Sequence, residues 1–202
     1  LTKYPSGGGD VLMGSIITRD NALHMRLKLA HMRLGLGVGM NDVELVLRSL
    51  PSTALRYHAQ DKTARQLAAA LQRQNAVKQL LHPAFASSPC HANWQPPCAT
   101  PENPAGAAAG IFSVVFDAPQ SQVDDFCNRL QLFKLGYSWG GHISLVMPYA
   151  LDEMRDLGRG AVLPGCLVRL CIGLEEAADL ERDVAQAYGH AFGHAWRGQG
   201  VH

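Results

Sequence analysis

The sequence predicts an α/β protein with helices on one face of a small sheet, and three observations carry that prediction. Strand-like and helix-like segments interleave through the second half of the chain. A long helical pattern occupies residues 42–74. Of the 202 residues 47% are apolar, enough to fill a core of that size.

The elements follow in order. Asp10–Thr18 is an apolar, β-rich stretch between glycines and Asp20, and reads as a strand. Leu23, Leu27, Ala30 and Leu34 recur at helical spacing, which predicts a helix over 21–33 capped by Thr18 or Asp20. Gly35, Gly37 and Gly39 then break regularity, since each glycine costs a helix about 1 kcal/mol relative to alanine. Across 42–74, Pro51 falls near the start of the second part of the pattern, where its missing N–H matters least. Leu55, Ala68–Ala70 and Leu71 suit a helix bridging two domains. Prolines 83, 89, 96, 97, 101 and 104 make 82–109 an irregular excursion. Beyond it, Ile111–Phe116, His142–Met147 and Cys166–Ile172 read as strands, Ser121–Leu130 and Glu175–Ala187 as helices. Gly189–His202 reads as a frayed or variable tail.

Bulk properties exclude several classes. Eighteen basic against seventeen acidic residues give none of the cationic excess that a dedicated nucleic-acid binder needs. No apolar run approaches the roughly 20 residues of a membrane span, so no membrane partner is expected. The odd set Cys90, Cys98, Cys127, Cys166 and Cys171, without CxxC spacing, suits reduced thiols in a cytoplasmic protein. Neither Cys90-His91…Cys98 nor the pair His190 and His194 makes a convincing metal set, so no metal is expected. The chain opens on Leu1 and reaches a glycine cluster within seven residues, which reads as the interior of a longer protein.

Three segments could carry chemistry. Lys3 sits between Thr2 and Tyr4, ahead of Pro5-Ser6-Gly7-Gly8-Gly9-Asp10. A lysine in suitable surroundings forms a Schiff base, and a hydroxyl beside glycine-rich backbone suits an anionic phosphate. A solvated loop lysine is the plainer reading of that segment alone. Tyr137-Ser138-Trp139-Gly140-Gly141 gathers two aromatics, a hydroxyl and a double glycine, a turn or core signature as much as a binding one. Arg169 lies within the apolar strand Leu167–Ile172 and needs a partner, either a structural ion pair or a ligand carboxylate that its planar fork can grip.

These segments together resemble one family. Leu1-Thr2-Lys3-Tyr4 with the following glycines and Asp10 is similar to the lysine loop of the Cys/Met-metabolism enzymes that depend on pyridoxal phosphate (PLP). Leu47-Arg48-Ser49-Leu50, His82-Pro83 and Ala109-Gly110-Ile111-Phe112-Ser113 resemble further family motifs in the same order. So do Tyr137–Gly141 with Ser144-Leu145, and Arg169–Glu175. The resemblance spans about residues 1–187 and implies a fold-type I PLP-dependent transferase-like architecture. Residues 1–74 would end the large PLP-binding domain, and residues 75–202 would form the small C-terminal α/β domain.

What the resemblance implies for chemistry is specific. Lys3 would hold PLP as a Schiff base, with Thr2 at the phosphate. Arg169 would grip the substrate α-carboxylate, with Tyr137, Ser138 and Trp139 lining the site. Trp139 favours the family's β-lyase branch, which splits cystathionine into homocysteine, pyruvate and ammonia in methionine biosynthesis. The sister activities are γ-lyase, methionine γ-lyase and cysteine desulfhydrase. The substrate would be an amino-acid thioether, and the assembly a homotetramer of active dimers. The family's pyridine-nitrogen aspartate, ring-stacking tyrosine and phosphate-binding glycine would lie upstream of Leu1. Gly8, Gly9, Ser49, Pro51, His142 and Ile143 depart from the family pattern and bear on substrate preference. A ferredoxin-like binding module over about 106–187 is the non-catalytic alternative, and it has no use for Lys3.

Overall fold

The computed structural model describes residues 1–151 and 165–198. Helix α1 (Asn21–Arg33) is followed by α2 (Met40–Ser49), a single 3₁₀ turn (Leu50–Ser52) and α3 (Thr53–Gln72). Then come β1 (Val77–Leu81), α4 (His91–Cys98), β2 (Ile111–Phe116), α5 (Gln120–Arg129) and β3 (Lys134–Leu135). Strands β4 (Leu145–Tyr149) and β5 (Cys166–Cys171) and helix α6 (Ala177–Phe192) complete the described elements.

The five strands form one sheet in the order β1-β2-β5-β4-β3, antiparallel except for the short β3–β4 pair. Alternation of side chains sends Phe112, Val114 and Phe116 of β2, and Val168 and Leu170 of β5, to one face. There they pack with Ala64, Leu67 and Leu71 of α3, Val123 and Phe126 of α5, and Leu180 and Val184 of α6. Arg169 therefore belongs to the opposite face, in register with Ser113 and Met147. Helices on one face of a mixed sheet is the architecture expected from the sequence.

Several boundaries differ from expectation. The stretch 10–18 forms no strand: Leu12 is 90% and Ile17 92% exposed, and no neighbouring strand receives its backbone. The helix over 21–33 forms as read, with the Asp20 carboxylate accepting from the Ala22 and Leu23 N–H groups, but none of its residues is buried. The pattern over 42–74 divides at Pro51 into α2 and α3. The excursion 82–109 contains the short helix α4. Strand β1 escaped sequence reading, because five residues with a mixed burial pattern give little periodicity. Strand β4 starts at Leu145 rather than at 142, since Ser144 is held by hydrogen bonds to Glu175 and Gly173. Helix α6 runs past Gly189 to Phe192, whose ring stacks on Phe116 at 5.1 Å, and ends where Gly193 turns left-handed. Residues 199–202 of the expected tail lie outside the described residues.

Among the described residues the five cysteines form no disulfide with one another. Among the described residues no helix is long and apolar enough to cross a membrane, and no three His, Cys, Asp or Glu side chains gather as a metal set.

Candidate active site

The site begins as a tight turn at the start of the chain. Ser6 N–H donates to the Leu1 carbonyl, Gly7 N–H to the Lys3 carbonyl, and the Ser6 hydroxyl reaches the Thr2 carbonyl at 2.9 Å. Gly7 closes the turn with φ +68°, a conformation that glycine adopts without strain. Tyr4 pins the turn to the sheet: its hydroxyl accepts the Gly110 N–H at 2.9 Å, and its ring meets Tyr57 edge-on at 5.1 Å. Burial pushes the Tyr4 phenol up to about 12. The Thr2 hydroxyl accepts from Met13 N–H at 2.9 Å and gives a longer 3.3 Å contact to the Met13 carbonyl.

With its neighbours fixed, Lys3 extends across to residues far along the chain. Its Nζ donates to Ser138 Oγ at 2.8 Å and lies 4.2 Å from the centroid of the Trp139 ring. Trp139 and Ser138 sit on the loop between β3 and β4, shaped by Gly140 at φ +78°. The Gly140 N–H donates to Cys171 Sγ at 3.4 Å, and burial raises that thiol above its ordinary range.

Arg169 approaches the same ring from β5. Its guanidinium carbon is 5.8 Å from the Trp139 centroid and 5.7 Å from that of Tyr149. Its Nη2 donates to the Gly136 carbonyl at 3.1 Å and the Ser138 carbonyl at 3.4 Å. Tyr137 is exposed, with its ring 6.4 Å from Tyr149. The structure thus brings Lys3, Ser138, Trp139 and Arg169 together, sets Tyr137 at the rim and turns the Thr2 hydroxyl toward Met13.

Neither cation of this site forms an ion pair with a described residue. Among the described residues Arg169 meets carbonyls and aromatic faces, not the carboxylate that a structural ion pair would need. Among the same residues Lys3 meets a hydroxyl and an indole. An amine and a guanidinium beside one indole, both with neutral partners among the described residues, leave their charge available to an anionic ligand.

Sequence reasoning missed Tyr149, Arg56 and Gln60, and gave no role to Ser144 and Glu175, which lie in its motifs. Tyr149 reaches the site only because β4 lies next to β5. Ser144 and Glu175 close the floor: Ser144 donates to Glu175 at 2.7 Å and accepts from Gly173 N–H at 2.9 Å. Arg56 of α3 donates to the Tyr4 carbonyl at 2.8 Å. Gln60, one turn on and 1% exposed, donates to the Gly141 and Ile172 carbonyls. The signal for the last two was a pair of polar residues four apart on a helix whose second half is core.

An amine, an indole and a guanidinium so arranged form the kind of site that receives an amino acid on a carbonyl-bearing cofactor. Comparison with known proteins gives the family. The chain belongs to the Cys/Met metabolism PLP-dependent enzymes, whose family model matches residues 1–189. It is 36% identical over 193 residues to a cystathionine beta-lyase of Bordetella avium, covering 94% of this chain and 46% of that protein. It is 30% identical over 189 residues to a cystathionine gamma-synthase of Mycobacterium tuberculosis, covering 93% and 47%. Among solved structures, a cystathionine gamma synthase from Xanthomonas oryzae pv. oryzae in complex with cystathionine superposes with a TM-score of 0.81 at 30% identity. That match covers 95% of this chain and 49% of the other. A methionine gamma lyase from Micromonospora echinospora superposes with a TM-score of 0.75 at 31% identity, covering 92% and 47%. The chain spans about half the length of the curated relatives it matches. These likenesses give the fold as that of PLP-dependent lyases and synthases.

Proposed function

We propose that the protein carrying this chain is a PLP-dependent carbon–sulfur lyase that cleaves cystathionine by β-elimination, giving homocysteine, pyruvate and ammonia with uptake of one water, a step of methionine biosynthesis in the cytoplasm. The observation that carries this reading is the meeting of the Lys3 amine and the Arg169 guanidinium at one ring, that of Trp139. The 36% identical cystathionine beta-lyase supports the β-lyase branch, as does tryptophan at position 139.

The residues present fit the cofactor. Lys3 would hold its aldehyde carbon, the amine being free of any described carboxylate. Thr2 would contact the phosphate, exchanging its long 3.3 Å contact with Met13 for a phosphate oxygen. PLP, when bound, supplies the electron sink that makes a Cα proton removable.

This chain's own groups do the rest. Arg169 seats the α-carboxylate through its planar fork, and Ser138 orients the Lys3 amine through the 2.8 Å hydrogen bond. Lys3 takes the Cα proton and returns one to the sulfur leaving from Cβ. Trp139 sets its ring against the amine, and Tyr137 and Tyr149 line the rim. General acid–base help of this kind is worth about 10²–10⁴-fold.

The domain division at residue 74 is part of the same reading. Large apolar side chains between Leu12 and Leu55 stand exposed, among them Ile16, Met32, Met40 and Leu47. We place the remainder of the large domain and further copies of the protein, up to a tetramer of active dimers, against that face.

The test is borohydride reduction of the holoenzyme followed by peptide mass measurement, with cystathionine turnover assayed in parallel. The expected result is a pyridoxyl group on Lys3, pyruvate as the oxo-acid product, and loss of both in Lys3→Ala. A label elsewhere would remove the assignment of Lys3, whereas 2-oxobutyrate as the product would move the protein to the γ-lyase branch.

A further inference from the structure

Two polar residues on one face of α3 connect the halves of the site. Arg56 and Gln60 are four residues apart, so their side chains leave the helix on the same side. Arg56 Nη1 donates to the Tyr4 carbonyl at 2.8 Å, and Nη2 donates to the Pro5 carbonyl at 3.4 Å and the Ser49 carbonyl at 3.0 Å. Its Nε donates to the Ser52 hydroxyl at 3.1 Å, and Nη2 also reaches the Thr53 hydroxyl at 3.3 Å. Every acceptor is neutral, and Arg56 forms no ion pair with a described residue. The guanidinium spends its donors on holding backbone. The turn is moulded to it: a Cβ at Gly7 would fall 2.3 Å from Arg56 Nη1.

Gln60 grips the other half. Its Nε2 donates at 2.7 Å to the carbonyl of Gly141, at the end of the Ser138–Trp139 loop. The same nitrogen donates at 2.8 Å to the carbonyl of Ile172, three residues after Arg169. The segments meet again at Gly110, whose N–H goes to the Tyr4 hydroxyl and whose carbonyl takes the Ile172 N–H. One helical turn thus lies between the backbone that carries the amine and the backbone that carries the guanidinium.

We propose that Arg56 and Gln60 are positioning residues that use α3 as a rigid spacer, setting where the Lys3 amine stands relative to Ser138, Trp139 and Arg169. Neither touches the reacting atoms. The inference rests on the proposed roles of Lys3 and Arg169. A change at Arg56 lets the Lys3 turn shift while the carboxylate seat stays. A change at Gln60 lets the seat shift while the amine stays.

The experiment uses the holoenzyme with four variants: Arg56→Lys, which keeps the charge but cannot span several carbonyls, Arg56→Met, Gln60→Glu and Gln60→Leu. Four readouts are taken: the melting temperature, borohydride labelling of Lys3, the pH midpoint of the bound cofactor's visible absorbance, and kcat and KM. For both Arg56 variants the expected result is a shifted absorbance midpoint, with kcat lowered between about 10- and 100-fold at nearly unchanged KM, the size of effect that displacing a catalytic group by about 1 Å produces. For Gln60→Leu the larger effect is expected in KM, with partial recovery in neither Glu nor Leu, since both lack the Nε2 donor. Variants that label and titrate like the parent, with unchanged kcat and KM, would overturn the proposal even if they melted earlier, because that is the behaviour of merely structural residues. Should Arg56→Met fail to fold, Arg56→Lys decides. If the parent itself shows no label on Lys3, the reading of the site fails instead, and the two failures are told apart by that control.

Discussion

Arg169 stands in register opposite Ser113, on the face of the sheet turned away from the helices, with Met147 as its partner on the other side. The guanidinium therefore rises from a central strand hydrogen-bonded on both edges, whereas the Lys3 amine comes from a turn held by side chains of Arg56 and Tyr4 and by its own backbone hydrogen bonds. A cation mounted on a strand and one mounted on a turn share one indole. Their different mountings give different expectations for mutation.

Replacing Arg169 by lysine keeps the charge and removes the planar fork. We expect KM for cystathionine to rise about 10- to 100-fold, the equivalent of about 1.5–3 kcal/mol for hydrogen bonds to a charged group, with a smaller change in kcat. Steady-state pyruvate release measures both. An unaltered KM would take Arg169 out of substrate binding.

Gly140 and Gly141 should respond differently to alanine. Gly140 has φ +78°, and a Cβ there would meet the Tyr4 nitrogen at 2.9 Å. Gly141 has an ordinary φ, and its Cβ would come no nearer than 4.0 Å, to the Gly7 carbonyl. We expect Gly140→Ala to destabilise the holoenzyme by about 1–2 kcal/mol or more, and Gly141→Ala to leave it nearly unchanged, by urea unfolding. Equal effects would mean that the loop is not held as described.

His82 links stability to pH. It is fully buried between Phe85 and Phe112, with Nδ1 accepting the Ala84 N–H and Nε2 without a partner among the described residues. Burial is the main cause that lowers its pKa from 6.5 to about 4. Between those values the unfolded chain takes up a proton that the folded one refuses. Its contribution is thus fully present above about pH 6.5 and is lost progressively as pH falls to about 4, by up to about 3 kcal/mol. His82→Asn can retain the bond to Ala84 without titrating, so its stability between pH 7.5 and 5 should fall less steeply. Parallel slopes for parent and variant would assign the pH dependence to another group.

Much of this was legible in the chain itself. Phe112, Val114 and Phe116 alternate with smaller or polar neighbours, and Ile111–Phe116 was read with its observed bounds. Lys3, Ser138, Trp139 and Arg169 each lie in a short motif of unusual composition, and the structure gathers them. The rest depends on distance in space. Tyr149 joins the site through a strand pairing that no local pattern encodes, and Arg56 matters for the carbonyls it happens to reach. The stretch 10–18 has strand composition and no strand, because a ladder needs a second strand beside it. Gly189 suggested an end to the last helix, yet Phe192 packs against Phe116 and carries the helix past it.

The division of labour within β5 limits how this segment can vary. Val168 and Leu170 serve the hydrophobic interior, and the residue between them faces the proposed ligand site, so alternate positions can be exchanged almost independently. Removing or inserting a single codon in that strand is another matter. It would thrust a guanidinium among the phenylalanines and leave an aliphatic stub at the proposed carboxylate seat, so stability and the proposed recognition would fail together.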